Sequence, residues 1–429
     1  MKFKKIVSAG LVCVLIFILG AFSTSYTNNV GVPWLKALAN KIPKELARNV
    51  NVDFSYPREI ETSLFTFKTS KVFPKRGVFQ IASGNDGKLY AIDRDHGNLY
   101  LWDPNVNTIQ EFPNVFKTIG LSSDSTNLVM DLHFAFSKLY VSIVVPSDDQ
   151  KCEQLVAFEL IAESNSILKA MEFFKSPCTE DRLNPGLWAG RFTNSNQNLF
   201  LSVGDQRYDR SGFPKQGKVI QAEIGNVNSV FGKILTFSTS LQKFEIYSSG
   251  HRNAQGLFYS IATSKLYESE HGTVGGDEVN ILKKGYDYGW PKVGYGRAYG
   301  WVFASGEPNP DKVKGSNFNS ILNDKFGFNR GMHPGYEKPI FSWYPSVAVG
   351  ALKEVSSISK LREWRTNLLV ATFTDNGIHR LESANGRIVL DEKIDFGGRV
   401  RDFEITDSGG LFVAYDENNL IFLMPSKNL

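Results

Sequence analysis

One unit recurs along this chain: an apolar strand, a short turn, and a second strand opening on leucine followed by an aromatic residue or another leucine. It reads VFQIASGNDGKLYAID, MDLHFAFSKLYVSIV, GRFTNSNQNLFLSVGD, GLFYSIATSKLYESEHG, SKLREWRTNLLVATFTD and VRDFEITDSGGLFVAYD. The second strands are anchored at Leu89, Leu139, Leu199, Leu266, Leu368 and Leu411, at intervals of 50, 60, 67, 102 and 43 residues. Short strands repeated at this scale predict a propeller, in which each unit contributes to one small antiparallel sheet. A two-sheet sandwich with a second domain gives no reason for six similar units. The expected fold is therefore all-β, a six-bladed β-propeller over residues 58–429. The long fourth interval contains Tyr286 to Pro345, rich in Gly, Pro, Asn and aromatic residues, and reads as insertion loops on one face of the ring. Aromatics make up 13% of the chain and glycine occurs 37 times, as strands and tight turns require.

The N-terminus has a different character. Residues 1–23 combine the basic start MKFKK with a nearly unbroken apolar run from Ile6 to Phe22, followed by small residues (Ala21, Ser23) placed for cleavage before Thr24. This is a signal peptide, or an uncleaved anchor in the membrane, since about 17 residues is the lower limit for a spanning helix. Either reading exports the body of the protein, to the periplasm or the exterior. Residues 24–57 read as a spacer with an amphipathic helix from Trp34 to Asn51, broken near Pro43. Of the formal charge of +4, three lysines (Lys2, Lys4, Lys5) lie in the leader, so the remainder is close to neutral. No basic run interleaves with aromatics, and nucleic acid is not an expected partner.

Export permits a disulfide. Polar residues Glu163 to Ser166 mark the turn of a hairpin between Cys152 and Cys178. Centred on residue 165, that hairpin sets the two cysteines opposite each other, at the separation a disulfide needs. Two free thiols are the alternative.

The chemistry concentrates in Gly250 to Pro291. His251-Arg252-Asn253 with Gln255 forms a dense polar cluster, and Glu270-His271-Gly272-Thr273-Val274-Gly275-Gly276-Asp277-Glu278 a glycine-rich acidic turn. Glycine lets backbone approach a ligand closely. Carboxylates and freed carbonyls are the hard oxygen donors that calcium takes. A solvated loop is the alternative. Near the C-terminus, Arg399 and Arg401 stand two apart on a strand and so share a face, a pair suited to carboxylates, or else two surface arginines. None of the six histidines has the spacing of a zinc motif, and no Gly-x-Ser-x-Gly, Walker loop or GxGxxG appears. Hydrolase and nucleotide-binding readings lack support.

GHRNAQGL, SEHGTVGGDEVN, YDYGWPKVGYGRAYG, KPIFSWYPSVAVGAL and GGRVRDFEITDSGGLFVAYD, in that order, resemble the glucose/sorbosone dehydrogenase family. The resemblance covers roughly residues 75–425. It implies a soluble aldose sugar dehydrogenase on a six-bladed propeller, using pyrroloquinoline quinone (PQQ) and calcium to oxidise a small-molecule sugar at the anomeric carbon. Electrons would pass to an external acceptor. It implies cofactor contacts at Arg252, Asn253, Gln255, His271, Arg399 and Arg401. Calcium would lie at the carbonyls of Gly272 and Thr273, with Asp277, Glu278 and Tyr288 rigidifying the loop, partly by binding calcium. An anionic quinone asks for arginines and a hard cation. Two positions depart from the family. Its general-base histidine is replaced by Leu187, in LWAGRF, and its cofactor lysine falls near Thr374. Leucine takes no proton, and His271 and Asp205 are the substitutes nearby. A catalytically silent propeller binding a sugar, cofactor or protein is therefore the second expectation.

Overall fold

In this computed structural model the described residues are 56–84, 87–121, 128–146, 152–163, 166–178, 187–205, 226–273, 275–296, 329–330, 333–416 and 419–426. The leader and the Trp34–Asn51 helix lie outside them. Six blade sheets follow one another along the chain, beside a small parallel pair of Val293–Gly294 with Asn329–Arg330. Blade 1 is Phe79–Ser83, Leu89–Asp93, Leu99–Asp103 and Thr108–Glu111. Blade 2 is Leu128–Ala135, Lys138–Pro146, Glu153–Glu163 and Ser166–Lys175. Blade 3 is Ala189–Asn194, Asn198–Val203, Lys233–Ser238 and Phe244–Ser249. Blade 4 is Ala254–Ser260, Lys265–Glu270, Asp277–Leu282 and Phe341–Trp343. Blade 5 is Val349–Glu354, Leu368–Thr372, Gly377–Ala384 and Arg387–Asp395.

Blade 6 draws on both ends of the propeller. Val400–Ile405, Leu411–Tyr415 and Leu420–Pro425 are completed by Thr66–Val72 and then Glu59–Glu61. The first strand of each blade packs on the first strands of its two neighbours, and this circuit closes from blade 6 onto blade 1. All six leucine anchors stand in the second strand of a blade, each at most 6% exposed. Among the described residues there are one helical turn, Val115–Thr118, and a 3-10 turn, Arg362–Trp364. No described helix is long and apolar enough to cross a membrane.

The apolar residues explain why the ring is stable. They sort into six clusters, each built from two neighbouring blades. Trp102, for instance, packs with Phe73 of the blade 1 approach and Phe412 of blade 6. A blade is thus buried on both faces, so its inner strands read as continuous apolar runs, as in Leu368–Thr372, rather than alternating. The fifth repeat departs from its sequence reading. Ser359 to Arg365 is not a strand, because Trp364 turns inward on the 3-10 turn and packs against Phe65 and Phe67. The first strand of that blade is Val349–Glu354. The Tyr286–Pro345 stretch follows the third strand of blade 4 and contains its fourth, Phe341–Trp343, so it is not insertion throughout.

Polar residues hold the inner strands together. Arg191 is buried, donating to Gln80 Oε1 at 2.6 Å, Asp402 Oδ1 at 3.0 Å and the Met130 carbonyl at 3.2 Å. Asp131 Oδ1 lies 3.2 Å from the same guanidinium, while its Oδ2 accepts from the Phe192 amide at 2.6 Å. One side chain therefore ties together blades 1, 2, 3 and 6.

The Cys152–Cys178 disulfide closes the outer hairpin of blade 2, with Cα atoms 5.6 Å apart. The register slips at two bulges on the way out from the turn, and the strand ends still meet. Replacing both cysteines by serine is expected to cost about 3 kcal/mol of stability for a loop of this size, read by chemical denaturation. Two alkylatable thiols in mature exported protein would refute the pairing in the cell.

Candidate cofactor and active site

Each blade is entered at its inner strand, so residues just ahead of the first strands gather at one mouth of the ring. Arg252 and Asn253 precede blade 4, Arg399 and Arg401 open blade 6, and Ala189 opens blade 3. Asn253 Oδ1 accepts from the Ala189 amide at 3.1 Å and from Gln255 Nε2 at 2.9 Å. Arg252 donates from its guanidinium to the His271 carbonyl at 3.0 Å and lies over the Trp290 ring at 5.6 Å.

The acidic turn is drawn tight by one carboxylate. Asp277 Oδ1 accepts from the Gly272 amide at 2.9 Å, and Oδ2 from Ser346 Oγ and the Ala348 amide, both at 2.6 Å. Both Asp277 oxygens are thus engaged by protein donors, which makes it a brace for the loop. Gly276 has φ +73°, and a Cβ there would lie 2.2 Å from the Gly296 amide nitrogen; at Gly272 a Cβ would lie 2.3 Å from two carbonyl oxygens. Only glycine allows this closeness. Beside the turn is a cavity of about 20 Å³, lined by Glu270, Glu278, Thr273, Tyr288 and Arg252. That is room for one water or ion. Thr273 Oγ1 is buried there without a hydrogen bond. Burial, with the neighbouring Glu270 carboxylate, holds the Glu278 carboxyl well above the usual range. The Glu270 and Glu278 carboxylates beside an ion-sized cavity fit a cation such as calcium. Tyr288 braces the floor, donating to the Ile281 carbonyl at 2.6 Å and accepting from the Lys283 amide at 3.0 Å.

Arg401 and Arg399 share one aromatic platform, lying 4.4 Å and 5.2 Å from the Phe373 ring centre. Arg401 is clamped by Asp416 through bonds of 2.6 and 2.8 Å, whereas the Arg399 side chain is 49% exposed. His271 joins the two halves of the mouth: its ring lies 6.1 Å from Phe373, and Nε2 donates to the Val349 carbonyl at 2.5 Å. Arg94 completes the set, and no motif points to it. It follows the second strand of blade 1, its Nε is buried without a hydrogen bond, and burial together with Arg401 lowers its pKa to about 10. Only its repulsion by Arg401 across the closed ring marks it. Four arginines around one mouth, of which Asp416 pairs with Arg399 and Arg401, suit a ligand carrying several carboxylates.

Leu187 stands at the same mouth. Its carbonyl packs on Gly204, where a Cβ would meet it at 1.7 Å, next to Asp205. Asp205 is fully buried, accepting from Trp290 Nε1 at 2.8 Å. With its proton on Nε2, His271 keeps a lone pair on Nδ1; burial foremost, then Arg252 and Arg401, lowers its pKa. Thr374 is exposed and caps the Ser346 carbonyl at 3.2 Å.

The family described as "Glucose / Sorbosone dehydrogenase" matches residues 76–423. The chain is 28% identical over 305 residues to aldose sugar dehydrogenase YliI of Escherichia coli (strain K12), covering 68% of this chain and 74% of that protein. It is 25% identical over 258 residues to quinoprotein glucose dehydrogenase B of Acinetobacter calcoaceticus, covering 52% of each. The chain spans about half the length of two of the curated relatives it matches. The crystal structure of the soluble aldose sugar dehydrogenase from Escherichia coli, in its apo form, superposes with a TM-score of 0.64 at 18% identity, over 84% of this chain and 99% of that one.

Proposed function

The chain belongs to the glucose/sorbosone dehydrogenase family, and from that premise we propose that it is an exported, PQQ- and calcium-dependent dehydrogenase of the aldose type whose proton-abstraction step is impaired. The observation that carries the reading is the convergence of Arg94, Arg252, Arg399 and Arg401 on one mouth beside the glycine-rich acidic turn. Arg252 and Arg401 would hold the carboxylates of PQQ, with Asn253 and Gln255 beside them. The Gly272 and Thr273 carbonyls and Glu278 would hold calcium. When bound, the quinone supplies a two-electron acceptor for the anomeric hydride, later reoxidised by an external acceptor. The chain's own task is to position the sugar and to take its hydroxyl proton, at His271 Nδ1 or an oxygen of Asp205. The test is reconstitution with calcium and PQQ, followed by cofactor absorbance and aldose-dependent dye reduction. The second reading, a propeller that binds without turnover, is favoured by Leu187.

Calcium removal has its own readout. EDTA is expected to lower the melting temperature, because a ligand bound only by the native state stabilises it, by about 2.7 kcal/mol at a hundredfold excess over Kd. In Glu278→Gln the EDTA effect should vanish. An unchanged wild-type melting curve makes the turn an acidic loop and nothing more.

A further inference from the structure

Blade 4 carries a second buried constellation, which borders the calcium turn through Glu270 and Glu278 but centres on His251, Glu268 and Asn280, which the cofactor reading does not use. Glu268 and Glu270 alternate along the second strand and pair directly across with Asn280 and Glu278 on the third. Period two sets all four on one face of the sheet. His251, from the turn entering the blade, comes down on that face, its Nδ1 3.0 Å from Glu268 Oε2. One ligand atom from each of His251, Glu268 and Glu270 lies within 4.8 Å of the others, and all three residues are buried.

Every group here offers electron pairs. Apart from that 3.0 Å contact and the neighbouring Asn280 amide, neither Glu268 oxygen nor His251 Nδ1 has a hydrogen-bond partner, and Asn280 Oδ1 has none, although Glu268 and Asn280 are 0% exposed. Glu270 is better served: Oε2 accepts from the Arg252 amide at 2.7 Å, and Oε1 faces Asn280 Nδ2 at 3.5 Å. His251 is also oriented. Nε2 lies 2.8 Å from Ser248 Oγ, and the ring stacks on Tyr288 at 4.9 Å. With Nε2–H donating to Ser248, the Nδ1 lone pair points at Glu268, the arrangement by which proteins fix a metal-binding imidazole.

The geometry points to a divalent-cation site of the zinc class, with His251 Nδ1, Glu268 and Glu270 as ligands and Asn280 Oδ1 as the fourth donor. One proton between His251 and Glu268 would still leave Glu270 and Asn280 lone pairs facing the pair; a dication neutralises both carboxylates at once. The nitrogen donor and small donor number separate this site from calcium, which takes about 6–8 oxygens. Sequence spacing gave no sign of it because the ligands are assembled by cross-strand register and not by a linear motif. The bound ion would fix Glu270, and through it the backbone of Arg252.

The experiment titrates chelator-stripped full-length protein with zinc alone, in saturating calcium so that oxygen-only sites are filled, using competition with a chromophoric chelator. Wild type is expected to take one zinc per chain and Glu268→Gln none, while Ser248→Ala, which only frees the imidazole, should bind about 10–100-fold more weakly. No uptake by wild type at micromolar free zinc overturns the site, as does equal uptake by wild type and Glu268→Gln. If Glu268→Gln does not fold, wild-type stoichiometry and Ser248→Ala decide it. The inference does not rest on the cofactor reading, so PQQ binding is measured in parallel; its failure leaves the zinc result standing.

Discussion

Reconstituted with PQQ and calcium, the unmodified protein is expected to bind the cofactor and to oxidise glucose or related aldoses far below the ordinary range of about 1–10³ per second. Leu187→His is expected to raise that rate by about 10²–10⁴-fold, the usual contribution of a positioned base. Hydride leaves the anomeric carbon readily only as the hydroxyl proton is taken. The carbonyl of residue 187 is fixed against Gly204, and its neighbour Ala189 is bonded to Asn253, so a histidine side chain at 187 starts from a held backbone at the correct mouth. Cofactor absorbance should be alike in both proteins, which separates loss of chemistry from loss of binding. Ordinary turnover by wild type would show that another residue is the base. His271→Gln and Asp205→Asn then identify it, by which of the two lowers kcat without lowering PQQ binding. Absence of PQQ binding would remove the cofactor reading and leave the binding propeller.

Arg191→Met is expected to destabilise the ring by about 3–5 kcal/mol, since it strands two buried carboxylates, Asp131 and Asp402, that now share one guanidinium. The loss should depend on pH. In the native protein burial already lifts Asp131 to about 7 against its ordinary 3.8, with Arg191 opposing. Removing the arginine raises it further. An acid whose folded pKa is raised keeps a proton that the unfolded chain has released, so its stability contribution falls as pH climbs from the unfolded towards the folded value. The variant's deficit should therefore be smaller at pH 5 than at pH 8, measured by urea denaturation. A deficit below about 1 kcal/mol, or one equal at both pH values, contradicts the hub.

The fold was legible because burial on both faces forces a repetitive pattern. Leu89, Leu139, Leu199, Leu266, Leu368 and Leu411 each begin a strand enclosed by neighbouring blades, and no polar residue is tolerated there. The disulfide was legible from hairpin register, even with two bulges that a straight count ignores. The fifth repeat misled because Leu361 and Trp364 are apolar at a spacing that suits a strand as well as a 3-10 turn. Arg94 and the His251–Glu268 pair were invisible for a different reason. Their neighbours come from ring closure and from cross-strand register, neither of which leaves a local mark. Thr66–Val72 was equally mute: as an outer strand it has one buried residue among seven, Phe67.

That outer strand sets an order of assembly. Phe67 pairs with Pro425 and Val72 with Ile421, so a strand from the start of the propeller has its hydrogen-bond partner at the far end of the chain. During synthesis the edge that faces Leu420–Pro425 must remain open, with only Glu59–Glu61 on the other side, until that strand has been made. A ribosome-bound chain can fold five blades and cannot finish the sixth. Removing Leu420–Pro425 therefore opens a circle instead of trimming a tail, and new termini would be better tolerated in an outer hairpin of another blade than at this seam.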